Sequence, residues 1–349
     1  MKRKRILLLL TSGLGNCVQA TPAILELRRL LPEYIITLFG PQKNLDLLNA
    51  PAFADEFVNL PTGQSLMRFL FTHPKYLFRR YEYVFSFCCC NPGKLYLLKQ
   101  IGLIHHIFAV RDRANSEYRF DYALDAVPEY HEAQMGLDLL KMAGFEPKTV
   151  PTNLYLSKEE KEFGRAYFVN RGCIDGQPVI IHPFWTAIGK NKSIRPNDVS
   201  ALMNRLKEDG IPCFLLLGPE EFRFYKGLAE FPIRENQVVA ENITTRKLAA
   251  ILSAARACIS ADSGPAHIAS AVGVQVFEIF AASVPERAKA FGPKDTVCIG
   301  PIETECRNCY ERNFTMEPCS KGRPCYPPLS IEKIISALHH SEQQERKDD

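Results

Sequence analysis

At 349 residues the chain is long for a single hydrophobic core and comfortable for two domains. With 46% apolar and 23% charged residues it has the composition of a globular protein and not of a fibrous or disordered one. A net charge of +4 is too mild to argue for nucleic acid, and no stretch approaches the roughly 18 continuous apolar residues of a membrane span.

The basic start Lys2-Arg-Lys-Arg5 and the apolar run Ile6–Leu10 have the outline of a signal peptide. The run is short, lacks a small-residue cleavage site and flows into a glycine loop, so it reads as a first buried strand. This points to the cytoplasm, either free or at its membrane face. After the loop Thr11-Ser-Gly-Leu-Gly-Asn16, a helix is predicted to about Leu31, with Val18, Ala20, Ile24, Leu27, Leu30 and Leu31 at helical spacing. Pro32 ends it, and Ile35–Phe39 is the second strand. Strand, helix and strand in succession imply a right-handed crossover and a parallel sheet. Further strands are predicted near Phe57–Leu60, Tyr83–Phe87 and Ile107–Val110, with helices over Leu45–Ala50, Leu66–Arg79, Gly93–Gly102 and Glu129–Ala143.

Pro147 and Pro151 mark a domain edge, giving residues 1–155 as one domain and 156–340 as a second. A helix over Lys158–Asn170 leads into the second alternating series. Its strands are Val179–His182, Cys213–Leu217, Gln237–Ala240, Ala257–Ser260 and Val274–Phe280. Its helices are Asn197–Glu208, about Glu221–Glu230, Thr244–Ala255 and Pro265–Val272, then Ile331–Leu338. The polar tail 341–349 is predicted to be disordered. The fold class is therefore α/β, with two doubly wound Rossmann-like domains whose strand ends face one cleft.

Two segments carry softer signals. From Met67 to Tyr83, Arg68, Lys75, Arg79 and Arg80 alternate with Phe and Tyr, which suits an interfacial helix at an anionic leaflet or a core helix burying its aromatics. Pro74 would break or kink it. The chain has twelve cysteines. Cys88, Cys89 and Cys90 lie in a strand-like apolar run and read as packing residues. In the Cys-rich segment 298–325, Cys306, Cys309, Cys319 and Cys325 can close a structural site of four sulfur ligands, for zinc or iron. The spacing is looser than a zinc ribbon, so four unligated thiols are the alternative.

The densest stretch is Ile259–Phe280: strand, the turn Asp262-Ser263-Gly264, a helix begun by Pro265, a stop at Gly273 and a strand buried on both faces. Gly264 suits the cap position. Such a helix aims backbone N–H groups and its positive dipole end at the turn, a ready place for a phosphate or diphosphate. An ordinary strand-to-helix corner is the alternative.

Four ordered stretches then resemble the family 9 glycosyltransferases, the bacterial heptosyltransferase type. They are Thr11–Asn16 with Thr21-Pro22; Ile181-His-Pro-Phe184 with Lys192 and Pro196; Leu215-Leu-Leu-Gly-Pro-Glu220; and Asp262–His267. The resemblance implies the two-domain GT-B fold. It also implies inverting transfer of a sugar, heptose from ADP-heptose by family habit, to lipopolysaccharide core or a related surface glycan. No metal or other cofactor is required for that chemistry. Carried over by position, donor and phosphate binding falls to Ser12, Gly13, Gly15, Lys192, Glu220 (or its neighbour Glu221), Asp262, Ser263, Gly264 and His267. Lys190 could share the role of Lys192.

One position departs from the pattern. Where the family carries an aspartate as base, this chain has Asn16, and an amide does not titrate near neutrality. Either His131-Glu132 supplies the base, or Asn16 merely orients the acceptor, or the protein binds a nucleotide sugar without turning it over. A transferase using another nucleotide sugar is a further rival, and a sugar-nucleotide epimerase, which would lack the motif Asp262–His267, is another. On the first reading the catalytic set is Asn16, His131 and Lys192.

Overall fold

In the computed structural model of the protein, the described residues are 3–60, 79–87, 95–111, 120–127, 129–174, 177–183, 192–218, 243–304 and 319–348, with positions 68, 73, 76, 221, 238 and 239. They form two compact units, Met1–Tyr155 with Thr244–Arg246, and Leu156–Ile243 with Lys247–Asp349.

Unit 1 is built on six strands: β1 (Arg5–Leu9), β2 (Ile35–Gly40), β3 (Glu56–Asn59), β4 (Tyr81–Ser86), β5 (Ile104–Arg111) and β6 (Tyr122–Asp125). All pair in parallel, in the order β3-β2-β1-β4-β5-β6. Register puts Ile6 beside Ile36 and Tyr83, and Leu8 beside Leu38 and Phe85, so the central strands bury both faces. Aromatic rings extend this core outward, with Phe85 and Phe108 centred 5.1 Å apart and Phe108 and Tyr122 4.7 Å apart. Strand β6 has no counterpart in the sequence reading; it is short and partly exposed, and gives no clear alternation.

Among the described residues, the helices of unit 1 are α1 (Leu14–Gln19), α2 (Thr21–Leu30), α3 (Gln42–Leu47), α4 (Leu95–Gln100) and α5 (Glu132–Met142). The single helix expected to Leu31 is thus two. Pro22 has no N–H to give the Val18 carbonyl four residues back, and the Thr21 hydroxyl donates to that carbonyl instead at 2.7 Å. Residues from much later in the chain complete the unit. The Arg246 guanidinium donates to the carbonyls of Leu47 (3.1 Å), Leu154 (2.7 Å) and Tyr155 (2.8 Å), and the Thr245 hydroxyl to that of Lys43 (2.6 Å).

Unit 2 repeats the plan with β7 (Val179–His182), β8 (Cys213–Leu216), β9 (Val238–Val239), β10 (Ala257–Ala261), β11 (Gln275–Ile279) and β12 (Val297–Ile299). These also are all parallel, in the order β12-β11-β10-β7-β8-β9. Counted from its own first strand, each sheet runs 3-2-1-4-5-6. The strand order therefore reverses between β1 and β4 in one unit and between β7 and β10 in the other. In open α/β sheets the carboxyl ends at that reversal are where ligands bind.

Among the described residues, the helices of unit 2 are α6 (Lys158–Val169), α7 (Pro196–Glu208), α8 (Thr245–Ser253, whose first two residues belong to unit 1), α9 (Gly264–Ala271), α10 (Pro285–Ala288) and α11 (Ile331–Asp348). Helix α6 opens with a full capping box, Ser157 with Glu160. Gly164 lets it close on α8: a Cβ there would lie 1.9 Å from the Ala250 carbonyl oxygen. The tail expected to be disordered beyond residue 340 instead continues α11 to Asp348. Ser341–Asp348 contains neither glycine nor proline to stop a helix, and its Glu, Gln, Arg and Lys are good helix formers.

Of the segment Met67–Tyr83, Arg79 is tied down, 2.5 Å from Glu56 and stacked over the Tyr76 ring at 4.8 Å. Most of the helices expected over Leu66–Arg79 and Glu221–Glu230 lies outside the described residues. So do the triplet Cys88–Cys90 and residues Phe184, Lys190, Glu220, Cys306 and Cys309.

Candidate functional site

The reversal point of the second sheet holds the most concentrated chemistry. Strand β10 is buried throughout and ends at Ala261, which places Asp262 at its carboxyl end. Ser263, in extended backbone, takes the cap position of α9 that the sequence reading assigns to Gly264; Gly264 is instead the first helical residue. Pro265 is second, where a missing N–H costs nothing. The Ser263 hydroxyl pairs with that of Ser260 at 3.0 Å, and among the described residues no side chain caps α9. Gly273, at φ +86°, ends the helix in the left-handed conformation.

Lys192 reaches the same point from the segment preceding α7. It is 5% exposed, and its ammonium donates to Asp262 Oδ2 at 2.5 Å. The Ser283 hydroxyl donates to the same oxygen. Burial would raise the Asp262 carboxyl, but the charge and hydrogen bond of Lys192 and the hydrogen bond of Ser283 outweigh it and hold Asp262 below the usual carboxylate range. His267, in the first turn of α9, and Glu278, within β11, complete the cluster; the ligand atoms of Asp262, His267 and Glu278 lie within 4.8 Å of one another. That spacing could surround a cation. The Lys192 ammonium already supplies positive charge there, paired with Asp262.

At the end of neighbouring strand β7, His182 Nδ1–H donates to the Leu216 carbonyl at 2.8 Å. Burial holds this imidazole below its ordinary value, against the pull of Glu221. Glu221 is buried and accepts from the Gly218 amide. The carboxylate described at this strand end is thus Glu221, the alternative to Glu220.

In unit 1, the loop after β1 is less special than its glycines suggest. Gly13 caps α1 at φ −63°, a conformation open to any residue, and Gly15 is helical. With Ser12 they form the strand-to-helix turn that follows β1. The loop is held by Asn44, whose buried amide donates to the carbonyls of Leu10 (2.7 Å) and Ser12 (2.8 Å). Helix α1 sets Asn16 beside the start of α5: Asn16 Nδ2 donates to Glu132 Oε2 at 2.8 Å. His131 caps α5, its Nδ1 accepting from the Ala133 amide at 3.2 Å. Asn16, His131 and Glu132 therefore come together, and the carboxylate among them is Glu132.

Three participants are absent from the sequence reading. Asn44 and Ser283 give no local signal. Glu278 does: it stands in the middle of the apolar run Val276-Phe-Glu-Ile-Phe280, where a carboxylate needs a reason. In the Cys-rich segment, Cys325 is buried and Cys319 partly exposed, and the Arg323 amide donates to Cys319 Sγ at 3.4 Å.

The lipopolysaccharide heptosyltransferase 1 of Pseudomonas aeruginosa is 28% identical to this chain over 114 residues, covering 30% of this chain and 32% of that protein; the match thus spans about a third of the relative. Among solved structures, a family 9 glycosyl transferase from Veillonella parvula superposes with a TM-score of 0.78 at 16% identity, over 97% of this chain and 98% of the other. The ADP-heptose lipopolysaccharide heptosyltransferase II of E. coli gives 0.70 at 17% identity, over 97% and 99%. The iron-containing dodecameric glycosyltransferase TibC of enterotoxigenic E. coli gives 0.62 at 14% identity, over 98% and 80%. These likenesses show the GT-B glycosyltransferase fold. The family model of glycosyltransferase family 9 (heptosyltransferase) matches residues 113–319, more than half of the chain. The chain belongs to glycosyltransferase family 9.

Proposed function

We propose that the protein is an inverting, metal-independent glycosyltransferase that moves a sugar, heptose from ADP-heptose, onto lipopolysaccharide core or a related surface glycan. The observation that carries this is the buried Lys192–Asp262 pair at the carboxyl end of β10, beside the amino end of α9. Unit 2 is the donor side and unit 1 the acceptor side. As the sugar's anomeric bond breaks, charge grows on the departing diphosphate, and the α9 amide end with Lys192 and His267 stabilises it. A preorganised donor of this kind contributes on the order of 3 kcal/mol to lowering the barrier. Glu221 is the acceptor for the ribose hydroxyls.

For the acceptor hydroxyl, Glu132 is the base, held by the Asn16 amide at 2.8 Å. His131 positions it, since one ring nitrogen is engaged in capping α5. The arrangement supports the base reading over loss of catalysis, because a carboxylate stands beside the position where the family's aspartate is found. The protein acts in the cytoplasm, with the basic and aromatic residues ahead of β4, positions 67–80, giving peripheral contact with the inner membrane; among the described residues no helix is long and apolar enough to cross one.

Calorimetry against a panel of nucleotide sugars tests the donor. ADP-heptose at about 100 times its dissociation constant should stabilise the protein by roughly 2.7 kcal/mol, with transfer to a truncated core acceptor. Lys192→Ala should remove both. Binding with no turnover on any glycan would favour the binding-protein reading, and no nucleotide sugar binding would end the transferase reading.

A further inference from the structure

Glu278 is fully buried within β11 and belongs to no part of the chemistry above. Its two oxygens differ. Oε2 accepts from the Ala290 amide at 2.9 Å, whereas Oε1 is buried with no hydrogen-bond partner among the described residues. A second carboxylate, Asp262, lies within 4.8 Å, and the ammonium serving this pocket, Lys192, is already bonded to Asp262 at 2.5 Å. Two buried carboxylates and one ammonium leave an uncompensated negative charge if both acids ionise while the His267 imidazole, the third member of the cluster, is neutral. The low-dielectric surroundings make that arrangement expensive.

We propose that Glu278 is a positioning residue of the donor site: it remains a neutral carboxylic acid, its proton on Oε1, so that the Lys192–Asp262 pair presents no net negative charge to an incoming diphosphate. This deepens the donor-site reading and rests on it. Burial first, and then the Asp262 charge, raise the Glu278 carboxyl well above its ordinary range, which agrees with the geometry. The other titratable groups around it are His267 on α9, Cys258 on β10 and Cys298 on β12. Burial, with Glu278 adding to it, pushes both thiols up to about 12, so neither carries charge at neutral pH.

The sign of the linkage is fixed by the raised carboxyl. The folded protein holds a proton that the unfolded chain has released, so this group's contribution to stability is complete below about pH 4.3 and is lost as pH rises through the folded value. Thermal unfolding and ADP affinity, each followed from pH 5 to 9 on the full-length protein and on Glu278→Gln, test the proposal. The native protein should lose stability with rising pH relative to the variant. Its ADP affinity should fall by up to about tenfold per pH unit once Glu278 ionises. The variant, with a neutral amide in place of the neutral acid, should lack this fall and keep only the pH dependence that the two proteins share through His267.

Identical pH dependence in the two proteins would overturn the proposal. So would zinc or manganese stabilising the native protein but not the variant, which would make Glu278 a metal ligand. Should the variant fail to fold, a carbon-13 titration of carboxyl-labelled glutamate in the native protein decides: Glu278 charged at pH 7 refutes the proposal, and Glu278 protonated supports it. The titration needs no ligand. Failure of ADP to bind at any pH would therefore count against the donor site itself, separately from the state of Glu278.

Discussion

At Asn16 a single side chain changes what the first loop can do. An amide donates to Glu132 at 2.8 Å and cannot take a proton, and on the proposed reading the neighbouring carboxylate takes it instead. Glu132→Gln should lower transfer by about 10²–10⁴-fold with little effect on ADP affinity, the range a general base contributes. Asn16→Asp alone sets two carboxylates against each other, raising the pKa of one. Asn16→Asp combined with Glu132→Gln returns a carboxylate to the loop and should recover activity lost in the single Glu132 variant. Full turnover by Glu132→Gln would exclude Glu132 as base.

Individual elements show how far a linear pattern reaches. The β10–α9–β11 corner is legible because each part has a signature: an apolar strand, a proline in the first turn and a glycine in the left-handed stop. The pairing of Lys192 with Asp262 is less so. The two are 70 positions apart, and nothing local shows that they bind each other. The break between α1 and α2 is hidden because the apolar spacing runs through it, while Pro22 alone withholds one hydrogen bond. Glu132 is legible only as the neighbour of His131, since its contact with Asn16 spans 116 positions. Tight helix packing leaves an equally local test. Gly164→Ala drives a methyl into the Ala250 carbonyl, and should destabilise by about 1–3 kcal/mol in denaturant unfolding, with ADP affinity retained once folded.

For the molecule as a whole, the same strand order occurs twice, which is why two alternating series in the sequence are enough to reach the architecture. The Cys-rich segment adds a question about metal content. We propose Cys306, Cys309, Cys319 and Cys325 as ligands of one structural zinc or iron ion, supported by their paired spacing in the sequence and by the amide that Arg323 gives to Cys319. Metal analysis of protein purified without added metal should find about one ion per chain, and none after all four are replaced by serine. Less than about a tenth of an equivalent in the native protein would exclude the site.

The Arg246 clamp gives the chain an order of assembly in time. The carbonyls of Leu47, Leu154 and Tyr155 receive their donor only when a residue some way into the second alternating series has been made. At roughly 5–20 residues per second, synthesis reaches Arg246 several seconds after Tyr155. During that interval the first sheet can form, yet its closing seam stays hydrated, so the amino-terminal half emerges from the ribosome as an unfinished body that the later sequence must seal.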